Sequence, residues 1–372
     1  MTPDTLYING KFTAQRVTGV QRVAVNQVLA IDRCLGRSET AWPVEVVLLV
    51  PPGAPPLALQ RIAVSEVGDR RLPLHLWEQI LLPFAARRGV LLNLAGAAPL
   101  LAARQACLLH DAVVFDRPHA YTAAFRLWYR AMFRLLPRRR ASLLTVSSFS
   151  RERLALHLNV PPSSFAVVPN GGGHLRSVEG DASVLVRLGL TNGGYFLAVG
   201  SRNPNKNFRT LQQAFVDLPS RDVRLVLVGG DEERVFAKDT AADRSDERIV
   251  RAGPLADAEL KALYQHAVGL VFPSRYEGFG LPPVEAMDCG CPVLASNAAA
   301  IPEVCGEAAL YFDPASASQM TAAMQRVLDE PALRERLVRA GTERVRCFDW
   351  DRSALALLSH LDSARRATGG AS

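Results

Sequence analysis

The sequence predicts an α/β protein built from two Rossmann-like parallel-sheet domains that face a central cleft. Short apolar runs rich in β-branched residues alternate with longer amphipathic stretches along the whole chain, which is typical of parallel α/β architecture. The length of 372 residues suits two domains of ordinary size. A break at 168–173, where a proline and three glycines interrupt the pattern, separates two sets of such runs.

The candidate strands are continuous apolar runs, which suit strands that are buried on both faces of a sheet. In the first half we predict strands at 6–8, 44–50, 90–94, 106–109, 143–146 and 165–168, and in the second half at 195–199, 225–228, 270–272, 292–295 and 309–312. We therefore place an N-terminal domain at 1–170 and a C-terminal domain at 171–349. A helix over 350–372 is expected to pack back on the first domain.

The basic excess of the chain is concentrated in one region. The whole sequence has a formal net charge of +7, and residues 61–140 alone hold thirteen arginines against five acidic residues. We expect this region to attract anions. The sequence has no finger, RNP or helix-turn-helix signature, so nucleic acid is not an expected partner.

The sequence also predicts a cytoplasmic location. It contains no apolar run of the roughly 18 residues that a spanning helix needs, and its first residues lack the basic and then apolar order of a signal peptide. Its six cysteines are scattered rather than paired at metal or redox spacing, so we expect reduced packing residues and no metal site.

The most specific segment of the chain is 273–285, which reads Pro-Ser-Arg-Tyr-Glu-Gly-Phe-Gly-Leu-Pro-Pro-Val-Glu and follows a predicted strand. The prolines suit a first helical turn, so we predict a helix of about two turns from Leu281. The N-terminus of that helix would attract an anion. Glu277 in the loop and Glu285 in the helix could each accept hydrogen bonds from neighbouring hydroxyl groups, as of a ribose or a hexose.

This segment resembles the Glu-x7-Glu motif of retaining glycosyltransferases of family 4, which have the GT-B fold. The resemblance covers most of the chain and is strongest at about 195–314. It implies that Glu277 binds the hydroxyls of a donor sugar and that Glu285 binds the nucleotide ribose. The loop between them would contact the sugar and the diphosphate through Gly278, Phe279, Gly280 and Leu281. No metal or cofactor is required.

A second loop, 200–208, follows the first predicted strand of the C-terminal half. Arg202 and Lys206 lie four residues apart on a Gly/Asn/Pro-rich loop, with Ser201 beside them, and together they could grip one diphosphate. The pair resembles the family's Arg and Lys that neutralise the departing nucleotide diphosphate. The alternative is a solvated turn whose charges are incidental.

Two candidate residues lie in the N-terminal half. His110 ends a predicted strand and best matches the family's histidine near the anomeric carbon of the donor, although a lone histidine is more often structural. Gly19 opens the first helix and resembles the family's N-terminal glycine loop, with Thr18 in place of the usual second glycine. After another strand, Ser150 is predicted to cap a helix.

The stretch 125–140 combines arginines at four-residue spacing with aromatic and aliphatic residues. Two interpretations remain open: a helix that lies on an anionic bilayer, or an ordinary Rossmann helix with its aromatics in the core. The basic charge of 61–140 slightly favours the bilayer.

The resemblance as a whole implies a retaining, metal-independent hexosyltransferase with an acceptor-binding N-terminal domain and a nucleotide-sugar-binding C-terminal domain. GDP-mannose is the preferred donor, with UDP-glucose or a related UDP-sugar close behind. The expected acceptor is a glycan or a polyprenyl-diphosphate-linked glycan in polysaccharide biosynthesis, met at the inner face of the cell membrane. A nucleotide-sugar epimerase of the same fold is the alternative enzyme.

Overall fold

The computed structural model describes residues 5–37, 45–201, 203–230 and 246–369. These residues form two compact units. The first comprises the described residues up to 112, those at 127–171 and those from 349 onwards; the second comprises 113–126 and the described residues of 172–348. Each unit contains one parallel sheet, which confirms the predicted α/β class.

The first sheet has seven strands in the order β3-β2-β1-β4-β5-β6-β7, and the second has six in the order β10-β9-β8-β11-β12-β13. All described strand pairs are parallel. The strands are β1 Thr5–Asn9, β2 Glu45–Val50, β3 Ala63–Glu66, β4 Val90–Asn93, β5 Gln105–Leu108, β6 Ser142–Thr145, β7 Phe165–Val167, β8 Tyr195–Val199, β9 Arg224–Val228, β10 Ile249–Gly253, β11 Gly269–Phe272, β12 Val293–Ser296 and β13 Ala309–Phe312.

Helices occupy most of the connections between the strands. They are α1 Gly19–Cys34, α2 Leu74–Leu76, α3 Leu82–Ala85, α4 Val113–Asp116, α5 Ala123–Arg138, α6 Ser148–Leu158, α7 Ser183–Arg187, α8 Phe208–Val216, α9 Asp257–His266, α10 Leu281–Asp288, α11 Ile301–Cys305, α12 Ala317–Asp329, α13 Pro331–Val345 and α14 Trp350–Gly369. A π-helical turn, Trp77–Leu81, joins α2 to α3, so that 74–85 is one continuous helical stretch.

The first unit joins the two ends of the chain. Helix α14 packs on α1, and Asp351 accepts hydrogen bonds from Arg33 at 2.7 and 2.9 Å and from Arg37 at 2.6 Å. On α1 itself, the buried Asp32 carboxylate accepts three backbone N–H bonds from 60–62, at 2.8 to 2.9 Å, and so fastens the approach to β3. These contacts fix both terminal helices within the first unit.

Every predicted strand is present to within a residue or two, but β3 and β10 were not predicted. Each is the outermost strand of its sheet. All four residues of β3 are exposed, and no residue of β10 is fully buried. An edge strand does not need a continuous apolar run, so the pattern that revealed the central strands is missing there.

The predicted cap of α6 was wrong by one turn. The hydroxyl of Ser147, whose backbone is extended, accepts the N–H of Ser150 at 3.0 Å, so Ser147 is the cap and Ser150 is already inside the helix. Three serines in four residues gave the sequence more than one candidate, and the backbone conformation decided between them.

Candidate active site

The candidate site of the second unit is formed by loops that leave neighbouring strands. Strands β8 and β11 are paired in the sheet, and both loops leave from carboxyl ends. The first loop carries Lys206 and the second carries Glu277. Because the carboxyl ends of parallel strands lie along one edge of the sheet, the loops meet there.

Lys206 and Glu277 form a half-buried ion pair. The Lys206 Nζ lies 2.6 Å from the Glu277 Oε1, although 71 residues separate them in sequence. The ammonium also lies 5.6 Å from the centre of the Phe272 ring, the last residue of β11. The aliphatic part of Lys206 passes over Gly200, where an added Cβ would come within 3.1 Å of it. The structure thus brings two predicted site residues into direct contact.

Asn207 holds the two loops together. Its Nδ2 donates to the carbonyls of Pro273 at 3.0 Å and Pro314 at 2.7 Å. Its Oδ1 accepts from Arg275 Nε at 2.9 Å and from the Thr210 hydroxyl at 2.7 Å. The residue is buried and has a φ of +59°, a left-handed conformation that asparagine tolerates better than most residues. It therefore fixes the backbone next to Lys206.

Gly229 and Gly200 approach each other closely at the same edge of the sheet. Gly229 follows β9 with a φ of +138°, and a Cβ there would lie 1.9 Å from the carbonyl oxygen of Gly200 after β8. No other residue fits this position without moving the backbone. Ser201, next in the loop, is half-buried. Arg202 lies outside the described residues.

Helix α10 begins as predicted, at Leu281, after Gly280 with a φ of +99°. A Cβ added at Gly280 would lie 3.4 Å from the Phe272 ring, and the Phe279 ring packs edge-on against Phe348 at 5.3 Å between centres. The first turn contains Pro282 and Pro283, which have no N–H group. The anion site expected at this N-terminus is therefore limited to the donors of the remaining residues, with the helix dipole behind them.

Glu285 is only 6% exposed and already has two protein partners. Its Oε1 lies 3.0 Å from His174 Nε2, and its Oε2 accepts the Tyr264 hydroxyl at 2.9 Å. Burial, followed by the nearby Glu285 charge, raises the pKa of Tyr264 well above its usual value, so the phenol stays a donor. A carboxylate offers about four acceptor positions, and each of its two oxygens makes one of these contacts.

The segment 113–126, which lies before the predicted domain boundary, groups with the second unit and contacts both site loops. The Tyr276 hydroxyl, next to Glu277, donates to Asp116 Oδ2 at 2.7 Å. Arg117 Nε donates to Asn205 Oδ1 at 3.4 Å, next to Lys206. These contacts were not predicted from the sequence.

The two candidates of the first unit lie at helix and strand ends. His110 follows β5, and its Nε2 lies 2.8 Å from the Leu94 carbonyl beyond β4. A carbonyl only accepts, so Nε2 carries the proton and Nδ1 is the acceptor nitrogen of the ring. Burial lowers the pKa of His110, and the Leu94 hydrogen bond opposes this in part. The ring is therefore neutral at neutral pH.

Gly19 is the first residue of α1, and the space beside it is open. A Cβ there would meet no atom within 4 Å among the described residues, and its φ is not in the left-handed region. The packing of the described chain therefore does not require glycine at this position. Also within the described part of the chain, no group of three His, Cys, Asp or Glu side chains is arranged to hold a metal ion.

Comparison with known families identifies part of the chain. Residues 188–344, which include Lys206, Glu277 and Glu285, match the family model described as glycosyl transferases group 1. This chain resembles that family over a region that is less than half of its length. It is 34% identical over 217 residues to the O-antigen chain mannosyltransferase B of Escherichia coli, covering 56% of this chain and 57% of that protein.

A second relative is the MMP alpha-(1->4)-mannosyltransferase of Mycolicibacterium hassiacum, 33% identical over 276 residues, or 69% of this chain and 64% of that protein. The chain thus spans less than two thirds of the length of each of these relatives.

Solved structures show that the fold is GT-B. Sucrose-phosphate synthase of Thermosynechococcus elongatus matches with a TM-score of 0.69 at 22% identity, covering 99% of both chains. Anabaena Alr3699/HepE, solved in complex with UDP and glucose, matches with a TM-score of 0.72 at 17% identity, covering 97% of this chain and all of that one. The predicted fold is therefore confirmed.

Sequence reasoning missed His174, Tyr264 and Asn207. His174 follows directly after the glycine-rich break, whose sequence pattern indicates only a domain boundary. Asn207 was visible as the residue after Lys206, but its four partners come from three other places in the chain. Tyr264 lies inside an ordinary amphipathic helix, and no local pattern distinguishes it.

Proposed function

We propose that the protein is a glycosyltransferase that moves a hexosyl group, with mannose from GDP-mannose as first choice, to a glycan or a polyprenyl-diphosphate-linked glycan. The Lys206–Glu277 pair at the carboxyl edge of the second sheet is the observation that carries this proposal. Its position within the region that matches the group 1 glycosyl transferases supports it, and the mannosyltransferase relatives favour mannose.

The ion pair explains how the charges of the site could be compensated both without and with a bound donor. Without donor, each charge compensates the other at 2.6 Å. A nucleotide sugar brings a diphosphate, which competes with Glu277 for the Lys206 ammonium, and hydroxyl groups, which replace the ammonium at the carboxylate. Each of the two half-buried charges would therefore have a partner before and after the donor binds.

In the proposed reaction, the bond between the anomeric carbon and the diphosphate oxygen breaks, and its electron pair stays on that oxygen. Lys206, Arg202 and the N-terminus of α10 stabilise the charge that develops there. The acceptor oxygen attacks the anomeric carbon from the same face, which retains the configuration, and its proton passes to a donor phosphate oxygen. No metal or cofactor is required.

Other residues would position the donor. Glu277 and the backbone of 278–281 would hold the sugar, and Glu285, held by His174 and Tyr264, would bind the ribose. Ser201 would contact the diphosphate. In the first unit, the Nδ1 acceptor of His110 would orient a sugar hydroxyl near the anomeric carbon, and the open space beside Gly19 would admit the diphosphate. We place this reaction at the inner face of the cell membrane.

UDP-glucose or a related UDP-sugar is the second candidate donor, because Alr3699/HepE was solved with UDP-glucose and with UDP. A thermal-shift screen of nucleotide sugars decides between them. A ligand at 100 times its dissociation constant adds about 2.7 kcal/mol to the free energy of unfolding. We expect the largest shift with GDP-mannose; a larger shift with a UDP-sugar would reverse our choice of donor.

Two variants test the ion pair. Glu277→Gln should lower kcat about 100-fold while nucleoside diphosphate binds as well as in the wild type or better, since the competitor for Lys206 is gone. Lys206→Ala should lower both kcat and nucleoside diphosphate affinity. Glu335→Gln and Arg336→Ala, on the exposed face of α13, are the controls. Near-normal transfer in both site variants would contradict the site.

Product analysis tests the reaction class. Transfer with retained anomeric configuration, unchanged by EDTA, is expected. Release of a free epimer from donor alone, without transfer, would instead identify a nucleotide-sugar epimerase.

A further inference from the structure

A stripe of exposed apolar side chains runs along the helical stretch 74–85 of the first unit. Leu76, Ile80 and Phe84 are 43%, 56% and 69% exposed. They recur every fourth residue along a continuous helical backbone, so they lie along one face of it. Large apolar residues in a row on a surface mark a site of interaction.

The helical stretch is held firmly from its other side. Trp77 is buried, and its indole N–H donates to the Val67 carbonyl at 2.7 Å. Trp77 and Leu82 belong to a buried cluster that includes Leu49 and Leu91 of the sheet. The exposed stripe is therefore a fixed feature of the fold.

Two segments that contact this helical stretch carry further exposed apolar side chains. Gln79 exchanges hydrogen bonds with the backbone of Ala98 and Leu100, both at 3.1 Å, and the next residue, Leu101, is exposed. The His75 ring packs edge-on against Trp128 of α5 at 4.7 Å. Leu127, next to that contact, is 73% exposed.

Helix α5 has a buried face and an exposed face. Its buried residues, Met132, Phe133 and Leu136, pack inward as in an ordinary Rossmann helix. Leu127, Arg134 and Arg138 remain exposed.

One arginine lies against the stripe, and the sequence that follows it is rich in arginine and poor in acidic residues. The Arg87 guanidinium lies 4.0 Å from the centre of the Phe84 ring. Arg88 and Arg104 are exposed, as are four arginines at 134–140. Between residues 79 and 151 the sequence contains only two acidic residues, Asp111 and Asp116. Apolar side chains can insert into the acyl layer of a membrane, and neighbouring arginines are attracted to its anionic headgroups.

We infer that the stripe Leu76–Ile80–Phe84, flanked by Arg87 and Arg88, is the element by which the protein inserts into the interface of an anionic lipid bilayer. The arginines of α5 supply long-range attraction, and the stripe supplies the apolar contact. No helix among the described residues is long and apolar enough to cross a bilayer, so the contact is interfacial. The inference rests on the proposed function, since a lipid-linked acceptor is met at such a surface.

Flotation with vesicles tests the inference. The full chain should float with phosphatidylglycerol-containing vesicles at low salt, less at high salt, and little with pure phosphatidylcholine. The triple variant Leu76→Ser, Ile80→Ser, Phe84→Ser should lose at least tenfold in partitioning. The control pair Leu156→Ser and Val186→Ser removes apolar residues that are 65% and 84% exposed elsewhere, and it should float like the wild type.

Two further measurements separate the other outcomes. Phe84→Trp should show blue-shifted emission and quenching by brominated lipid on binding. Donor-dependent thermal shift and transfer to a soluble acceptor should be unchanged in the triple variant, so that failure of the proposed function is seen independently of vesicles. The inference would be overturned if the triple variant floated as well as the wild type. It would also be overturned if the three substitutions dissociated an oligomer instead, because the stripe would then be a contact between copies of the chain.

Discussion

The two units share one architecture but present different chemistry at the carboxyl ends of their strands. In the first unit, His110 joins the ends of β5 and β4 through one hydrogen bond to a carbonyl, and its ring is neutral. In the second unit, Asn207 joins the loops that leave β8, β11 and β13, and a charged pair lies beside it. The second unit thus presents a compensated pair of charges at this edge of its sheet, whereas the first presents a neutral ring there.

The largest expected difference in stability between the two units is at two glycines, one in each unit. Gly229→Ala should lower the free energy of unfolding by about 3 kcal/mol, because its Cβ would overlap the Gly200 carbonyl and its φ is unfavourable for alanine. Gly19→Ala should change stability by no more than about 0.5 kcal/mol, because the space beside it is open.

Urea unfolding measures both glycine variants, and a transfer assay completes the comparison. If the diphosphate approaches the backbone of Gly19, then Gly19→Ala should lose about tenfold in transfer despite its normal stability. Full transfer would remove Gly19 from the site.

Two asparagines with left-handed backbone sharpen the comparison. Asn207→Ala should cost about 2 kcal/mol, because buried carbonyls lose their donor, and it should also lower kcat by displacing Lys206. Asn159 has a φ of +54° at the end of α6, so Asn159→Ala should lose stability only because alanine is less favourable in this left-handed conformation. Equal losses of stability in the two variants would show that the bonds from Asn207 contribute little.

Substitutions of two buried tyrosines test whether the hydrogen bond from Tyr264 positions Glu285. Tyr264→Phe removes one of its donors and should raise the donor KM about tenfold, with kcat changed less than about twofold. Tyr195→Phe removes a hydroxyl from an equally buried tyrosine, and that hydroxyl donates to the Leu263 carbonyl at 2.8 Å instead of to Glu285. An unchanged KM in Tyr264→Phe, or the same rise in Tyr195→Phe, would speak against the role of Glu285 at the ribose.

The smallest effect is expected at the link between the terminal helices. Asp351→Asn should cost about 1 kcal/mol at pH 7, a modest figure because Arg33 and Arg37 are exposed and screened. Burial raises the pKa of Asp351, but the hydrogen bonds from both arginines outweigh it and hold the pKa below 3.8.

The stability from Asp351 is therefore present above pH 3.8 and is lost as pH falls through its lowered pKa. Urea unfolding from pH 7 to 3 should show wild type and variant converging only at the acidic end. Convergence already near neutral pH would contradict this account.

Much of the fold could be predicted because central strands and their glycine-rich exits have local signatures. The continuous runs at β1, β8 and β11 are apolar because each strand is covered on both faces, and the start of α10 is marked by Gly280 and two prolines. Edge strands β3 and β10 had no such signature. The same limit applied to the site: its charged residues stood out by type, while Tyr264 and Asn207 did not.

By itself, the sequence determined the α/β class, the positions of the central strands and the two loops that carry Lys206 and Glu277. Only the tertiary structure decided that these two side chains meet, that His174 and Tyr264 hold Glu285, and that Leu76, Ile80 and Phe84 remain uncovered. The physical reason is that periodicity and turn residues act over a few positions. Contacts between residues 71 or 111 positions apart depend on strand order and register, which no local pattern specifies.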